Sequence, residues 1–147
     1  MKKAIKILLS FMAIMLFSSV GVLAGNTHSL LSFTYNSTKS NSSESAIKPA
    51  DGDYNAYITT IETSPTTKVK SNVFRAGGIV YARTRLASAP SAAYSPLFTF
   101  STYTAKVAPY TPSSMARFGS AYILRAETEG ADYSSVNTYY QNFRWFP

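Results

Sequence analysis

The chain contains no cysteine, and His28 is the one histidine among its 147 residues. Without cysteine the protein can form neither a disulfide nor a thiolate ligand for zinc. A single histidine excludes metal motifs that need two imidazoles, and it leaves one candidate base for a serine triad. His28 stands in a polar leader near the predicted start of the mature chain, where a catalytic base lacks the rigid, partly buried surroundings that it needs. We therefore predict a protein that is not an enzyme and that uses no cofactor.

Long apolar runs are also scarce, and the clearest one covers residues 7–17. Three lysines precede this run within the first six residues, and small residues follow it up to a cleavage site between Ala24 and Gly25. This order of regions is typical of a secretory signal peptide, and the apolar run is short for a membrane span. We predict a signal-peptide helix in residues 1–24, an extracellular protein that is secreted or associated with the cell wall, and a mature chain without a transmembrane span.

Acidic side chains number seven against 14 lysines and arginines, which gives a formal net charge of +7. None of the seven lies in residues 68–125, a stretch that holds eight basic residues. Such a basic region attracts wall polyanions and anionic lipid head groups. Nucleic acid would meet the same charge, but the predicted export argues against it as a physiological partner. A plainer interpretation is that the positive charge only keeps the protein soluble.

Segments rich in tyrosine, threonine and isoleucine recur along the chain and favour β-strands. No window shows a helical period with caps, and turn signals that contain Gly, Pro and Asp separate the segments. Six strands are predicted, over residues 29–35, 54–63, 78–86, 97–104, 119–128 and 137–146. This pattern predicts an all-β fold, an antiparallel β-sandwich or a small barrel of about six strands.

The segment of residues 36–52 is polar and rich in serine. It has few apolar side chains to bury, so we expect a mobile loop, either a linker or a processed segment. The chain then divides into the signal peptide (1–24), a polar N-terminal segment with one short strand (25–52) and a β-sheet domain (53–147).

Strict alternation in residues 78–86 separates two faces of a strand. Val80, Ala82, Thr84 and Leu86 share one face, and Ile79, Tyr81, Arg83 and Arg85 share the other. Arg83 and Arg85 would then point the same way beside Tyr81, and a guanidinium pair can bind phosphate or carboxylate through paired hydrogen bonds. The alternative is a solvated strand face on which Glu127 is a cross-strand partner. Tyr81, Arg83 and Arg85 form one candidate ligand-binding set.

Five aromatic residues crowd into the last nine positions of the chain. Alternation places Tyr139, Gln141, Phe143 and Trp145 on one face and Tyr140, Asn142, Arg144 and Phe146 on the other. One interpretation is that the face with Trp145 docks into the core, since aromatic rings dominate core burial. The other is an aromatic and arginine surface for a carbohydrate, a lipid head group or a membrane interface. The candidate ligand-binding residues of this segment are Tyr140, Arg144, Trp145 and Phe146.

One acidic segment resembles a calcium loop in part. Asp51, Asp53 and Asn55 stand at loop positions 1, 3 and 5, and Glu62 stands at position 12. Ala56 occupies position 6, where the sharp turn needs glycine, and no amphipathic helix flanks the segment. The same residues fit an Asp-Gly turn that leads into a strand. We predict no metal site and leave calcium binding by these residues open.

The end of the chain resembles two groups of exported bacterial proteins. Residues 122–127 (YILRAE), a short turn and the ending Trp145-Phe146-Pro147 are similar to an uncharacterised family of small, cysteine-free secreted proteins of Gram-positive bacteria. Residues 139–145 (YYQNFRW) look like the C-terminal strand of lactococcin-type, Sec-secreted bacteriocins. The second resemblance implies a β-sandwich with an aromatic last strand and a bacteriocin-like role, and the first implies no functional residues.

These features predict an envelope-facing binding protein that engages anionic wall or membrane components. We expect a monomer and leave weak self-association open. One alternative is a structural or matrix protein that self-associates through exposed strand edges. A further alternative is a small secreted hydrolase, whose carboxylates would have to come from Asp51, Asp53, Glu62, Glu127, Glu129 and Asp132.

Overall fold

A computed structural model describes residues 27–62, 72–133 and 137–147 of the protein. Its eight strands are β1 (Thr27–Thr34), β2 (Lys39–Ile47), β3 (Asn55–Ile61), β4 (Ile79–Leu86), β5 (Phe98–Phe100), β6 (Ala105–Pro109), β7 (Ala121–Glu129) and β8 (Thr138–Phe146). Short 3₁₀ turns at Phe74–Ala76 and Ser113–Met115 are the helical elements of this part of the chain. No helix within it is long and apolar enough to cross a membrane. The predicted signal peptide, with its cleavage site at Ala24 and Gly25, lies outside the described residues.

The strands form two four-stranded antiparallel sheets that pack face to face as a sandwich. Sheet A has the order β1-β8-β3-β6, and sheet B has the order β2-β7-β4-β5. The consecutive strands β1 and β2 belong to different sheets, and between them the backbones of Thr34 and Ser37 exchange two hydrogen bonds of 3.0 Å. The prediction of an all-β antiparallel sandwich is confirmed, and the strands that the sequence did not indicate are β2 and β6.

Alternation along the strands builds the core between the two sheets. Every second side chain of β4 and of β8 is buried, on the faces that their patterns predicted. The largest buried side chains include Phe33, Ile58, Phe143 and Trp145 from sheet A and Val80, Phe100, Tyr122 and Leu124 from sheet B. The inner faces of the two sheets thus remove their apolar surface from water together, which is the main favourable contribution to folding.

The expectation of a mobile loop over residues 36–52 is wrong, because β2 runs through the middle of this segment. This strand cannot be recognised from hydropathy, since Ser42 and Ala46 are its only two buried residues and both are small. A register shift midway along β2 interrupts its pairing with β7. There Ser42 Oγ accepts a hydrogen bond from the Leu124 N–H at 2.9 Å. A serine hydroxyl therefore replaces a backbone acceptor at this irregularity in the ladder.

The strand predicted over residues 97–104 is shorter in the structure, and a separate strand follows it. β5 ends at Phe100, and the chain then crosses to sheet A, where β6 begins at Ala105. β6 pairs with β3 alone and forms an edge of sheet A. Four of its five residues are exposed, so β6 lacks the alternation from which a half-buried strand can be recognised.

Lys106 lies on the edge that β6 leaves open. It lies opposite the buried Ile58 in the register of β6 and β3, so its side chain is on the core side of the sheet. Lys106 Nζ donates a 2.6 Å hydrogen bond to the Thr99 carbonyl oxygen and lies 5.4 Å from the centroid of the Phe100 ring. An inward-pointing lysine on an edge strand opposes pairing with a second chain. This geometry weighs against self-association through β6.

Replacing Lys106 with valine should make the β6 edge available for association. We expect K106V to form oligomers at concentrations roughly tenfold below those at which the wild-type protein does, as measured by light scattering. Arg75→Val is the matched control, because it exchanges the same charge for the same apolar side chain on an exposed 3₁₀ turn outside both sheets. A K106V protein that scatters no more than this control would show that the lysine does not guard the edge.

Candidate anion-binding groove

The outer face of sheet B carries a shallow groove of ≈ 410 Å³. Its lining includes Lys39 of β2, Arg125 and Glu127 of β7, Tyr81, Arg83 and Arg85 of β4, and Leu97 just before β5. Successive side chains of a strand point to opposite faces, so every second residue of β4 and β7 reaches this surface. We call this surface the basic groove.

Three guanidinium groups converge in the basic groove. Arg83 of β4 lies directly opposite Arg125 of β7, and Arg85 is two positions further along β4. Directly opposite residues of antiparallel strands have Cβ atoms about 5 Å apart, so like charges at such a pair destabilise the sheet. Burial lowers the pKa of Arg85, and the charges of Arg125 and Arg83 lower it further against an opposing effect of Tyr94. The groove thus concentrates positive charge at a cost to the fold.

Uncharged partners hold the three guanidinium groups in place. The guanidinium carbon of Arg83 lies 5.2 Å from the centroid of the Tyr94 ring. Arg85 Nε donates a hydrogen bond to the Pro90 carbonyl oxygen at 3.0 Å. Arg125 Nη1 donates a hydrogen bond to Asn41 Oδ1 at 3.2 Å. These contacts orient the planar groups without neutralising them, so their charges are retained.

The acidic residues beside the groove have other partners. Glu127, the predicted cross-strand partner of the arginine pair, lies opposite Tyr81, and its Oε1 is 3.6 Å from Lys39 Nζ. The Tyr81 hydroxyl donates to Glu129 Oε2 at 2.9 Å, and this bond is the main reason that the pKa of Tyr81 is raised. No carboxylate of the described residues lies within ion-pairing distance of the three groove arginines. Their charge is therefore not paired with a carboxylate within the described residues.

Part of this site could be foreseen and part could not. Tyr81, Arg83 and Arg85 share the outer face of β4, as the alternation of that segment indicates. Arg125 and Lys39 were missed. Arg125 stands at an outward position of an alternating strand, so the sequence does carry a signal for its direction. What the sequence does not specify is that β7 lies between β2 and β4, which is the order that brings these residues together.

The second candidate set is divided between the two sides of β8. Tyr140, Arg144 and Phe146 point to the outer face of sheet A, on the opposite side of the sandwich from the basic groove. Trp145 points into the core, where its side chain is 1% exposed and its Nε1–H donates to Ser29 Oγ at 2.9 Å. Trp145 is therefore a core residue and is not available to a ligand at the surface.

The residues that resembled a calcium loop form a turn instead. Asp51 Oδ1 accepts the Asp53 N–H at 2.9 Å. Both oxygens of Asp53 accept hydrogen bonds of 2.8 Å, from the backbone and side chain of Asn55 and from the Tyr57 hydroxyl. Desolvation would raise the pKa of Asp53, but these bonds outweigh it and the pKa is lowered. Glu62 Oε1 forms an ion pair with Arg75 Nη2 of the first 3₁₀ turn, at 3.1 Å. In the described parts of the chain, no three His, Asp or Glu side chains come together in a way that could hold a metal ion.

The basic groove has the chemistry of an anion-binding site. Guanidinium groups donate paired, coplanar hydrogen bonds that match the oxygens of phosphate and carboxylate. The groove is shallow and open, so it suits an extended ligand that lies along the sheet. No protein-family model, no curated protein and no solved structure matches this chain.

Proposed function

We propose that the protein is a non-enzymatic binding protein that holds an anionic polymer of the cell envelope in the basic groove. The convergence of Arg83, Arg85 and Arg125, with no carboxylate partner among the described residues, is the observation that supports this proposal most. A surface that served only solubility would gain from spreading its charges or pairing them with opposite ones. This surface instead places like charges directly opposite each other on adjacent strands.

The spacing of the basic residues suits a ligand with repeated anionic groups. Residues two positions apart on a strand are about 6.7 Å apart, and neighbouring strands are about 4.8 Å apart. The three arginines lie on the adjacent strands β4 and β7, so one polymer can contact several cations at once. Contacts along a single ligand reinforce one another, since each holds the next anionic group at a high local concentration.

An extracellular location is part of the same proposal. Residues 1–24 have the pattern of a secretory signal peptide. A protein that is exported across the membrane meets wall polyanions directly, and a basic face would retain it there by charge. The protein would then act as a secreted molecule that stays associated with the wall.

Co-sedimentation of the purified protein with Gram-positive cell walls tests this proposal. We expect wild-type binding to weaken as salt is raised from low to high concentration, because exposed charges are screened. The double variant R83Q/R125Q should raise the dissociation constant at low salt by roughly tenfold or more, since it removes two charge-assisted contacts. The matched control is R75Q/R144Q, which removes two positive charges at exposed positions outside the groove. The control should change the constant by less than about twofold.

Two results would contradict the proposal. Equal losses in both double variants would mean that net charge alone attracts the protein to the wall. If the wild-type protein does not sediment with walls at either salt concentration, the charge of the groove serves only solubility. Thermal unfolding of both variants serves as a check on folding, and R83Q/R125Q should be at least as stable as the wild type because it relieves like-charge repulsion.

A further inference from the structure

We infer that the outer face of sheet A is a lipid-contact surface that adsorbs to bilayers with anionic head groups. Outward side chains of β1, β8, β3 and β6 build this face, which we call the lipid face. It lies on the opposite side of the sandwich from the basic groove. The inference therefore does not depend on the proposed function of the groove.

Apolar and aromatic side chains are exposed on the lipid face. Leu30 is 42% exposed, Tyr57 39% and Val107 56%. The strand register places Tyr57 between Phe146 and Val107 in one row across three strands. Leu30 and Ile61 lie on either side of β8 in another row. Leucine and aromatic side chains that share one exposed face can enter the boundary between head groups and acyl chains.

The charged side chains on the four strands of the lipid face have one sign. None of its four strands contains an aspartate or a glutamate. Arg144 is exposed between His28 of β1 and Thr59 of β3, and within the described residues it forms no ion pair. Asp53 precedes β3 and adds one negative charge at an end of this face, where its Oδ2 accepts a hydrogen bond from the Tyr57 hydroxyl. An arginine with apolar neighbours can keep its charge among phosphates while its methylene groups contact the acyl chains.

An anionic bilayer fits this face better than a second copy of the chain. A symmetric dimer joins the same patch of both copies. Such a dimer would bring the Arg144 charges of both copies into one interface, where the four strands offer no acidic side chain to pair with them, and unpaired like charges oppose association. A bilayer with anionic head groups instead offers the opposite charge together with an apolar layer.

Flotation with lipid vesicles tests the inference. The probe vesicles contain equal parts of phosphatidylglycerol and phosphatidylcholine, and the reference vesicles contain phosphatidylcholine alone. We expect the wild-type protein to float with the anionic vesicles and to stay with the bulk solution beside the neutral ones. Arg144→Gln should lower the partition coefficient by about fivefold, the effect of one basic residue near an anionic surface. L30S/V107S should lower it by roughly fivefold or more through lost apolar contact.

The matched control is I47S. It removes an apolar side chain on sheet B that is 56% exposed, as Val107 is, and it should leave the partition coefficient unchanged. The inference is overturned if the wild-type protein does not float with anionic vesicles, or if this control lowers flotation as much as L30S/V107S does. It is also overturned if R83Q/R125Q abolishes flotation while R144Q has no effect, because the basic groove would then hold the head groups.

The two proposals fail separately. L30S/V107S should sediment with purified walls as the wild type does, since the basic groove is intact in it. If the wild-type protein binds walls but not vesicles, this inference is wrong and the proposed function stands. If it binds vesicles but not walls, the proposed function is wrong and this inference stands. Circular dichroism of each variant checks that the sandwich still forms.

Discussion

Replacing Trp145 with alanine should lower the free energy of unfolding by about 3–5 kcal/mol, the usual cost of truncating a buried aromatic ring. The indole is 1% exposed and lies on β8, an inner strand of sheet A. Its Nε1–H donates to Ser29 Oγ at 2.9 Å, and that hydroxyl donates to Glu44 Oε2 at 2.8 Å. Truncation therefore leaves a cavity and also removes the donor that anchors this chain of hydrogen bonds. Trp145 is the only tryptophan, so urea unfolding should be followed by circular dichroism rather than by indole fluorescence.

Two further variants separate the contributions to this loss. Ser29→Ala keeps the ring but removes its acceptor, and it should cost about 1–3 kcal/mol because the buried N–H is left without a partner. Arg144→Ala alters the exposed neighbour on the same strand and should change stability by less than about 0.5 kcal/mol. If W145A lost no more than the Arg144 control, the placement of the indole in the core would be wrong.

Replacing Lys48 with methionine should stabilise the protein at neutral pH, by about 1–4 kcal/mol if the gain is similar to that from replacing buried ion pairs with apolar side chains. The Lys48 side chain is fully buried, and its Nζ donates a 2.7 Å hydrogen bond to the Asn55 carbonyl oxygen. Nζ also lies 5.7 Å from the ring centroids of both Tyr110 and Phe146. No carboxylate in the described residues forms an ion pair with it. Methionine is similar in length and flexibility, so it fills the same space without a charge to desolvate.

The pH dependence gives this prediction a second observable. Burial lowers the pKa of Lys48, while Asp53 and Asp51 act in the opposite direction. In the interval between the folded-state pKa and the unfolded-state pKa, the unfolded chain binds more protons, so stability from this group rises with pH. The advantage of K48M over the wild type should therefore be greatest at neutral pH and should shrink as pH rises toward the usual pKa of lysine. Urea unfolding of both proteins across this range measures the difference.

An opposite result for Lys48 would be equally informative. A K48M protein that is less stable than the wild type by a constant amount across this pH range would show that the carbonyl and the two rings offset the cost of burying the ammonium group. The Tyr110 and Phe146 rings beside Nζ would then stabilise the protein, since cation–π contacts strengthen when they are desolvated. Because the other titrating groups are shared by both proteins, the comparison isolates the lysine.

Strands with one buried and one outward face could be predicted closely from the sequence. β4 and β8 begin one residue after their predicted starts and end where predicted. Their period of two also gave the direction of each side chain, because a slip of one residue would have exposed every buried one. The alternation therefore gave the outward direction of the β4 arginines from sequence alone. For Trp145 it left two interpretations open, and the structure excludes the one in which this side chain contacts a ligand at the surface.

β2 and Lys48 could not be predicted as a strand and a buried residue from the residue types alone. The buried positions of β2 are a serine and an alanine, which carry no hydrophobic signal. Lys48 follows directly and is fully buried, although lysine is among the residue types least often buried. Its backbone is fixed by two bonds to a distant loop, a 3.0 Å bond to the Ser120 carbonyl oxygen and a 2.7 Å bond from the Gly119 N–H. Such contacts depend on the fold as a whole and leave no trace in the local sequence.

The basic groove was half predicted for a related reason. Alternation gives the direction of Arg83, Arg85 and Arg125 on their own strands, but it says nothing about which strands are neighbours. Arg125 lies directly opposite Arg83 because β7 is the neighbour of β4 in sheet B. Strand order follows from how the whole chain closes its two sheets, and no single segment determines it.

The position of β8 has a consequence for how the chain reaches this structure. β8 is the last strand in chain order, yet within sheet A it lies between β1 and β3 and pairs residues as distant as Thr27 and Trp145. Until β8 is made, β1 has no strand to pair with in its own sheet. Closing so long a loop is slow compared with forming a local hairpin. Sheet A of a nascent chain with this topology therefore stays incomplete until the final strand has been synthesised, whereas all four strands of sheet B are made before that point.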